Sequence, residues 1–204
     1  MSQDLVVATK NKKKLREIKE ILRGLDLEIV SLLDLKRPLR IIENGKSFRE
    51  NAIKKAVKTA HFTGKLTLGE DSGLCVDALN GAPGIHSSRF SGKNKSDKQN
   101  NLKLLRLLGD LSFSKRRAYY VCAVALADKN GLLGVAEGKC SGVIGFEAKG
   151  RRGFGYDPLF IIPKYRKTFA QLGEGIKHRM SHRYRALKKT RKMLKKYIEK
   201  HGGS

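Results

Sequence analysis

Short apolar runs alternate with amphipathic stretches along the first half of the chain. Residues 5–8 (Leu-Val-Val-Ala) form an apolar run of strand length. Asn11 can cap a following helix, because apolar residues then recur at helical spacing at Leu15, Ile18, Ile21 and Leu22. Residues 27–30 (Leu-Glu-Ile-Val) predict a second strand.

The next stretch repeats this alternation. Ser47-Phe-Arg-Glu50 matches a capping box and predicts a helix that runs to about Thr63. Residues 66–68 predict a strand that enters Glu70-Asp71, and residues 74–76 can continue the extended chain. Residues 96–108 have the spacing of a helix.

Two long extended runs follow, at residues 119–127 and 132–144. They are joined by Asp128-Lys-Asn-Gly131, and Asn-Gly between such runs indicates a hairpin. Alternating strands and helices followed by a hairpin predict an α/β fold with a mixed sheet and flanking helices. With 204 residues and no internal repeat or low-complexity linker, the chain is predicted to be a single domain spanning 1–204.

Charge sets this chain apart from an ordinary globular protein. Lys and Arg number 44 against 19 Asp and Glu, which gives a net charge of +25. Within residues 177–200 the acidic Glu199 stands alone among basic residues, while apolar residues keep helical spacing. This very basic C-terminal helix has two interpretations, a solvated outer face or a surface that contacts a polyanion such as nucleic acid.

Targeting and cysteine patterns point to the cytoplasm. No apolar run approaches the length of a membrane span, and the N-terminal charge follows the apolar stretch, the reverse of a secretory signal. Cys75, Cys122 and Cys140 are widely separated and odd in number, so they predict neither a disulfide framework nor a zinc site. We expect a cytoplasmic protein without a membrane partner.

The segment after the first strand is a candidate phosphate site. A helix N-terminus offers backbone N–H donors and the positive end of the helix dipole, which suit a phosphate group. This segment adds hydrogen-bonding and cationic side chains at Thr9, Lys10, Asn11, Lys12, Lys13 and Lys14. It lacks the Walker pattern, and lysine-rich helix starts are also common on basic proteins without function.

Carboxylates at the ends of predicted elements suggest a metal site. Mg²⁺ prefers hard oxygen ligands and usually binds one or two carboxylates together with substrate phosphates. Asp71 follows a strand and precedes Ser72-Gly73, and Glu70 lies beside it. Glu50 has an alternative interpretation, because the third helical position of a capping box favours glutamate without any metal.

Two later motifs could contact a nucleobase. Phe154 and Tyr156 offer aromatic faces within a glycine-rich loop, Gly153-Phe154-Gly155-Tyr156-Asp157-Pro158, which can equally be an ordinary loop. Ser181 fits as the N-cap of the last helix, with His182 and Arg183 in its first turn. Zinc is disfavoured at His178 and His182, because cations surround both residues.

Taken in order, these motifs resemble the inosine triphosphate pyrophosphatase (Ham1-like) family. The resemblance rests on six matching segments, spread from residue 9 to residue 183. They are Thr9-x-Asn11-x-x-Lys14-x-x-Glu17, Ser47-Phe-x-Glu50-Asn51-Ala52, Asp71-Ser72-Gly73-Leu74, Gly81-Ala82-Pro83-Gly84 with Ser88-Arg89-Phe90-Ser91-Gly92, Gly153-Phe154-Gly155-Tyr156-Asp157-Pro158, and Ser181-His182-Arg183.

The resemblance implies an elongated α/β fold of two lobes around a central nucleotide cleft, usually as a homodimer. It implies Mg²⁺-dependent hydrolysis of aberrant purine nucleoside triphosphates (ITP, dITP, XTP) to the monophosphate and pyrophosphate. Asp71 would be the general base and a metal ligand, and Glu50 would be the second metal ligand. Triphosphate would contact residues 9–14 and Ser72. The purine would contact Phe154, Gly155, Tyr156, Asp157, Lys177, His182 and Arg183.

Several positions depart from the family pattern. Lys10 and Lys13 stand where many relatives carry glycine, and Gln171 replaces a frequent glutamate. The tail is also more basic than the family requires. A basic nucleic-acid-binding protein without catalysis is the alternative function, but it does not explain the arrangement of Glu50 and Asp71-Ser72-Gly73.

Overall fold

The computed structural model describes residues 3–35, 37–93 and 95–201, and these divide into two compact units. The first unit contains the chain up to Asp71, then Cys122–Gly138, and the chain from Arg183 onward. The second unit contains Ser72–Val121 and Lys139–His182. The unit boundaries therefore fall within two of the motifs, between Asp71 and Ser72 and between His182 and Arg183.

The described residues form a seven-stranded sheet in the order β2-β1-β3-β4-β5-β6-β7. Strand β1 pairs in parallel with β2 and β3, whereas β6 is antiparallel to both β5 and β7. This mixed sheet with flanking helices confirms the predicted fold class. The strands are β1 (Gln3–Val7), β2 (Leu27–Ser31), β3 (Thr67–Val76), β4 (Arg117–Asp128), β5 (Gly131–Ile144), β6 (Phe160–Ile162) and β7 (Lys167–Thr168).

Six α-helices are present in the same ranges, with short 3₁₀ turns between some elements. The helices are α1 (Lys12–Leu22), α2 (Phe48–Thr63), α3 (Asp97–Leu108), α4 (Phe169–Leu172), α5 (Glu174–Met180) and α6 (His182–His201). No helix in the described part of the chain has both the length and the apolar character needed to cross a membrane.

Strand β4 shows why the first unit has two cores. Its side chains alternate between the faces of the sheet, as a strand requires. Cys122, Val124 and Leu126 join the cluster of α1 and α6, whereas Ala123, Ala125 and Ala127 join the alanine face of α2. The α1–α6 cluster is completed by Leu5, Val7, Ile18, Leu22, Leu66, Leu68, Ala186, Leu187 and Leu194.

The second unit has its own apolar core. Helix α3 contributes Leu104 and Leu108, which pack with residues from the strands and from the loop before β6. Aromatic rings fill much of this core, because Tyr120, Phe160 and Phe169 lie with ring centroids 4.6 to 6.3 Å apart. Each unit therefore buries its own apolar side chains.

The predicted helix starts and hairpin are confirmed, with one correction. Asn11 caps α1 by accepting hydrogen bonds from the N–H groups of Lys13 and Lys14. Ser47 caps α2, but the reciprocal half of the capping box is missing: the Glu50 carboxylate accepts from the N–H of Lys46, at 2.9 Å, instead of from Ser47. Strands β4 and β5 are sheet neighbours joined by two residues.

We predict that Gly69→Ala destabilises the protein. A Cβ atom at Gly69 would lie 2.2 Å from the carbonyl oxygen of Ala52 and 2.5 Å from the amide nitrogen of Ala56, so β3 and α2 would have to separate. Such overpacking costs about 1–3 kcal/mol, which should lower the Tm by roughly 2–10 °C.

Gly175→Ala is the matched control for this thermal measurement. Nothing lies within 4 Å of a Cβ at Gly175, and its position in α5 favours alanine. An unchanged Tm for Gly69→Ala would contradict the close packing of β3 on α2.

Candidate functional site

Asp71 is held at the end of a buried stretch of β3 by two side chains of α2. Its Oδ1 accepts a hydrogen bond from Lys55 Nζ at 2.9 Å, and its Oδ2 accepts one from Asn51 Nδ2 at 3.1 Å. Asn51 is itself fixed, because its Oδ1 accepts from the N–H of Gly45 at 2.8 Å. Asp71 is only 6% exposed, so both of its oxygen atoms have a fixed orientation.

The environment of Asp71 changes its proton affinity. Burial raises the pKa of Asp71 above its ordinary value, and the charges of Lys55 and Lys14 offset only part of that effect. For Lys55, burial alone would lower the pKa, but Asp71 and Glu43 outweigh it, so the pKa of Lys55 is raised. A carboxylate with increased proton affinity, held by a lysine whose own pKa is raised, can act as a general base.

Lys55 also contacts a second carboxylate besides Asp71. Its Nζ lies 2.9 Å from Glu43 Oε2, 2.9 Å from Asp71 Oδ1 and 3.1 Å from the carbonyl oxygen of Glu70. Lys55 is buried, whereas the Glu43 side chain is 42% exposed. Glu43 and Asp71 therefore converge on the same ammonium group.

Glu70 is the centre of a second buried network in the first unit. Its Oε2 accepts from Lys14 Nζ at 2.8 Å, and its Oε1 accepts from Arg183 Nη2 at 3.0 Å and from Cys122 Sγ at 3.3 Å. Arg183 also donates to Glu17 through Nη1. Burial raises the pKa of the Cys122 thiol well above its ordinary value, so Cys122 acts here as a hydrogen-bond donor and not as a thiolate.

In the first loop, residues 9–14, several backbone N–H groups are already hydrogen-bonded, so the exposed groups are mainly side chains. Asn11 Oδ1 already accepts from the N–H groups of Lys13 and Lys14, and Thr9 Oγ1 accepts from the N–H of Asn11. The side chains of residues 10–13 are exposed, whereas Lys14 turns inward to Glu70. Lys10 and Lys13 thus add cations to the surface of this loop, where glycine would add none.

The candidate metal ligands differ in their surroundings. Glu50 is exposed and lies in the first turn of α2, where its carboxylate accepts from Lys46 N–H. In the described ranges, no group of three or more His, Cys, Asp or Glu side chains is arranged as a metal cage. Asp71 and the exposed carboxylates of Glu43 and Glu50 supply the hard oxygen atoms that suit Mg²⁺, although the Lys55 ammonium already lies between Glu43 and Asp71.

The second unit contains the Gly153-to-Pro158 loop and the partner of its aspartate. Asp157 Oδ2 accepts from Lys177 Nζ at 2.6 Å and from the N–H of Phe154 at 2.9 Å, and both charged side chains are buried. Lys177 Nζ also lies 4.4 Å from the centre of the Phe154 ring. The loop is anchored to α3, because the N–H of Gly155 donates to Asp97 Oδ2 at 2.8 Å.

His182 and Tyr156 are also buried in the second unit. The His182 ring stacks on Tyr120, with centroids 4.6 Å apart and planes inclined by 11°. Tyr156 donates its hydroxyl to the carbonyl oxygen of Ser87 at 2.9 Å, and burial raises the pKa of Tyr156. Ser72, the first residue of this unit, lies half-buried within β3.

The predicted site residues thus fall into two groups. The first unit holds residues 9–14, Glu50, Asp71 and Arg183, and the second holds Ser72, residues 154–157, Lys177 and His182. Within the first unit, Lys14, Arg183 and the Glu70-Asp71 pair form one connected network. Within the second unit, Phe154, Asp157 and Lys177 are brought together.

The Ham1 family model matches residues 5–193 of this chain. The chain belongs to the Ham1 family. It is 48% identical over 190 residues to a dITP/XTP pyrophosphatase of Desulforamulus reducens, covering 93% of this chain and 94% of that protein. It is 44% identical to a dITP/XTP pyrophosphatase of Rhodopirellula baltica, covering 91% and 89%.

Solved structures of Ham1 proteins have the same fold. The Ham1 protein of Staphylococcus aureus superposes with a TM-score of 0.85 at 38% identity, covering 96% of this chain and all of that one. A HAM1 protein from Coxiella burnetii gives a TM-score of 0.86 at 38% identity, covering 95% and 99%.

Four residues of these networks were not predicted from the sequence to have a role in the site: Glu17, Glu43, Asn51 and Lys55. Helical spacing is a signal for Glu17 and Lys55. Glu17 lies three residues after Lys14, and Lys55 lies four residues after Asn51, so each pair shares one face of its helix. In the structure Asn51 and Lys55 contact Asp71, and Lys14 contacts Glu70, whereas Glu17 contacts the Arg183 guanidinium that also binds Glu70. Glu43 lies outside any helix or strand and carries no local signal.

Proposed function

We propose that this Ham1 chain hydrolyses noncanonical purine nucleoside triphosphates (ITP, dITP and XTP) to the monophosphate and pyrophosphate. The observation that carries the proposal is the buried Asp71, whose two oxygen atoms are oriented by Lys55 and Asn51 and whose pKa is raised. Similarity to relatives named dITP/XTP pyrophosphatases supports the substrate class.

Asp71 acts as the general base in this proposal. A carboxylate accepts a proton from the attacking water most effectively when its pKa approaches the working pH, and burial moves Asp71 in that direction. The charge of Lys55 lowers the pKa of Asp71 and so opposes the effect of burial, and Asn51 fixes the direction of Oδ2. Glu70 is held by Lys14 and Arg183, so its role is to fix those two cations beside the site.

Mg²⁺ is the proposed cofactor, and Asp71 is its central protein ligand. Glu50 was predicted as the second ligand, and Glu43 joins it as a candidate because Glu43 and Asp71 share Lys55. When bound, Mg²⁺ would neutralise charge on the phosphate oxygens. The carboxylates themselves bind the ion and keep the general base beside it.

The lysines of the first loop are proposed to bind the triphosphate. Backbone N–H groups of Asn11, Lys13 and Lys14 are occupied by side chains, so contact depends on the ammonium groups of Lys10, Lys12 and Lys13. Thr9 and Ser72 add hydroxyl groups to the proposed contacts. Because several ammonium groups would share the contact with the triphosphate, we expect the loss of one of these lysines to be tolerated.

We assign recognition of the purine nucleobase to the second unit. Phe154 offers a ring for stacking, while Lys177 on Asp157 supplies a fixed donor for the 6-oxo group of hypoxanthine or xanthine. The amine of adenine would face a donor there and lose a hydrogen bond, which is costly when buried. Gly155, Tyr156 and His182 are proposed to contact the purine from the same unit, where Asp97, Ser87 and Tyr120, respectively, hold them in place.

Arg183 fits a different role from the predicted base contact. Its guanidinium is 1% exposed and donates to Glu17 and Glu70, both within the first unit. We propose that Arg183 positions Glu70, and a direct contact with the purine stays a prediction. A homodimer and a cytoplasmic location, which the sequence analysis indicated, also stay predictions.

Asp71→Asn is the primary test of this function. The amide keeps the shape of the side chain but cannot accept the proton, so turnover of ITP should fall at least roughly a hundredfold, while the fold is retained because Lys55 keeps its contact with Glu43. The measurement is pyrophosphate release from ITP, XTP, dITP, ATP, GTP and dUTP by the wild-type protein and by Asp71→Asn, with Mg²⁺ present.

Wild-type protein should prefer the 6-oxo substrates ITP, dITP and XTP over ATP in that panel. Retention of a tenth or more of wild-type turnover by Asp71→Asn would remove Asp71 from the mechanism. Absence of Mg²⁺-dependent turnover in wild type would favour the non-catalytic nucleic-acid-binding alternative.

A second prediction separates the two candidate companions of Asp71. Glu43→Gln should raise the Mg²⁺ concentration for half-maximal turnover by about tenfold or more, because Glu43 lies beside Asp71, where both carboxylates contact the Lys55 ammonium. Glu50→Gln should have a smaller effect, since the amide oxygen can still accept from Lys46 N–H. The reverse order of the two effects would establish Glu50 as the ligand.

A third prediction concerns pH. The charge of Lys55 lowers the pKa of Asp71, so Lys55→Gln should raise that pKa further and extend the protonated, inactive form to higher pH. The acid limb of kcat/KM should therefore move to higher pH. Lys54→Gln, which removes an exposed charge bonded to Asn44, is the control and should leave the limb in place.

A further inference from the structure

The exposed face of α6 carries a basic stripe, here defined as Arg185, Lys188, Lys189, Lys192, Lys195, Lys196 and Lys200, and the exposed acidic Glu199 lies on the same face near its end. These residues follow one another at intervals of one, three or four, so they share one side of the helix. With a rise of 1.5 Å per residue, the stripe is about 22 Å long.

The orientation of this stripe is fixed by the opposite face of the helix. Ala186, Leu187 and Leu194 are fully buried in the core of the first unit, and Thr190 Oγ1 bonds back to the carbonyl oxygen of Ala186. Arg191 further ties α6 to the end of α1, donating to the carbonyl oxygens of Ile21 at 3.2 Å and Arg23 at 2.8 Å. The helix cannot rotate to hide its lysines.

The lysines of the stripe are not neutralised within the described chain. None of Lys188, Lys192, Lys195, Lys196 and Lys200 forms an ion pair with a described carboxylate, and Lys189 donates to the uncharged carbonyl oxygen of Glu137 at 2.7 Å. Glu199 is the only acidic residue of α6. Lysines four apart on a helix repel each other, so the five lysines without an ion pair to a described carboxylate destabilise α6.

We propose that this stripe binds the phosphate backbone of a nucleic-acid duplex, independently of sequence. A duplex carries about one phosphate per 1.7 Å of axis with both strands counted, so about 13 phosphates lie around 22 Å of duplex, and those that face the helix can pair with cations of the stripe. This contact is separate from the proposed hydrolysis and does not depend on it.

Two features favour a duplex over other polyanions. Single strands are bound largely by stacking on aromatic side chains, but Tyr197 of α6 is occupied by His201, with ring centroids 4.1 Å apart, and by Asp128. Membrane-surface helices insert an apolar face into lipid, whereas the apolar face of α6 is buried in the protein core. What α6 offers is charge at regular spacing.

The test measures binding of the full-length protein to a fluorescent 20-base-pair DNA duplex at several KCl concentrations. The stripe variant replaces Lys188, Lys189, Lys192, Lys195 and Lys196 with Gln. The matched control replaces five exposed lysines elsewhere, Lys95, Lys115, Lys129, Lys164 and Lys167, and so removes the same net charge. A third variant carries Arg at the five stripe positions and keeps the charge.

We expect the stripe variant to lose about tenfold or more in affinity at moderate salt and to show a shallower dependence of log Kd on log salt. The dispersed control should lose about threefold or less, and the arginine variant should bind like wild type. Equal losses in the stripe and dispersed variants would overturn the proposal, because net charge alone would then explain binding. Wild-type binding to anionic vesicles but not to duplex would also overturn it.

Catalytic measurements distinguish this proposal from the proposed function. The stripe variant should keep ITP turnover, since its lysines lie outside the site and their fields are screened within about 8 Å at physiological salt. Asp71→Asn should keep duplex affinity. Duplex binding that persists in Asp71→Asn supports the stripe even where no variant hydrolyses ITP, whereas loss of duplex binding in Asp71→Asn would contradict it.

Discussion

The first unit depends on the burial of two adjacent carboxylates, Glu70 and Asp71, in the middle of β3. Because neighbouring residues of a strand face opposite sides of the sheet, each carboxylate needs cations from a different layer. Lys14 and Arg183 serve Glu70, and Lys55 serves Asp71. A buried charge that loses its partner costs about 3–5 kcal/mol, so these contacts constrain every helix that supplies one.

That constraint connects the fold to the proposed chemistry. Helix α1 must present Lys14, α2 must present Lys55 and Asn51, and the first turn of α6 must direct Arg183 at Glu70. The small residues Gly69, Ala52 and Ala56 let α2 approach β3 closely enough for Lys55 to reach Asp71. The same packing that stabilises the unit therefore orients the proposed general base.

Much of this arrangement could be predicted from sequence, where local rules decide the outcome. Asn11 and Ser47 were predicted as helix caps, and the hairpin after Asp128 was predicted from Asn-Gly, because backbone hydrogen bonding determines these features within a few residues. Glu43 could not be found in this way, because its significance lies in sharing Lys55 with a residue 28 positions later. The contact of Glu50 was also not predictable from the local pattern. In a capping box its carboxylate would accept from the N–H of Ser47, but in the structure it accepts from the N–H of Lys46.

Net charge is a poor guide to which cations serve the proposed site. Lys14, Lys55, Lys177 and Arg183 are buried or half-buried, and each contacts a specific carboxylate at 3.0 Å or less. The lysines of the α6 stripe are exposed and contact no carboxylate in the described chain, although they lie on the same helix as Arg183. A charge of +25 therefore combines two populations: a few fixed cations that orient acidic groups, and many solvated ones that can only attract what carries repeated negative charge. Because the two populations differ in burial, substitutions can separate them, and a polyanion contact need not compete with hydrolysis.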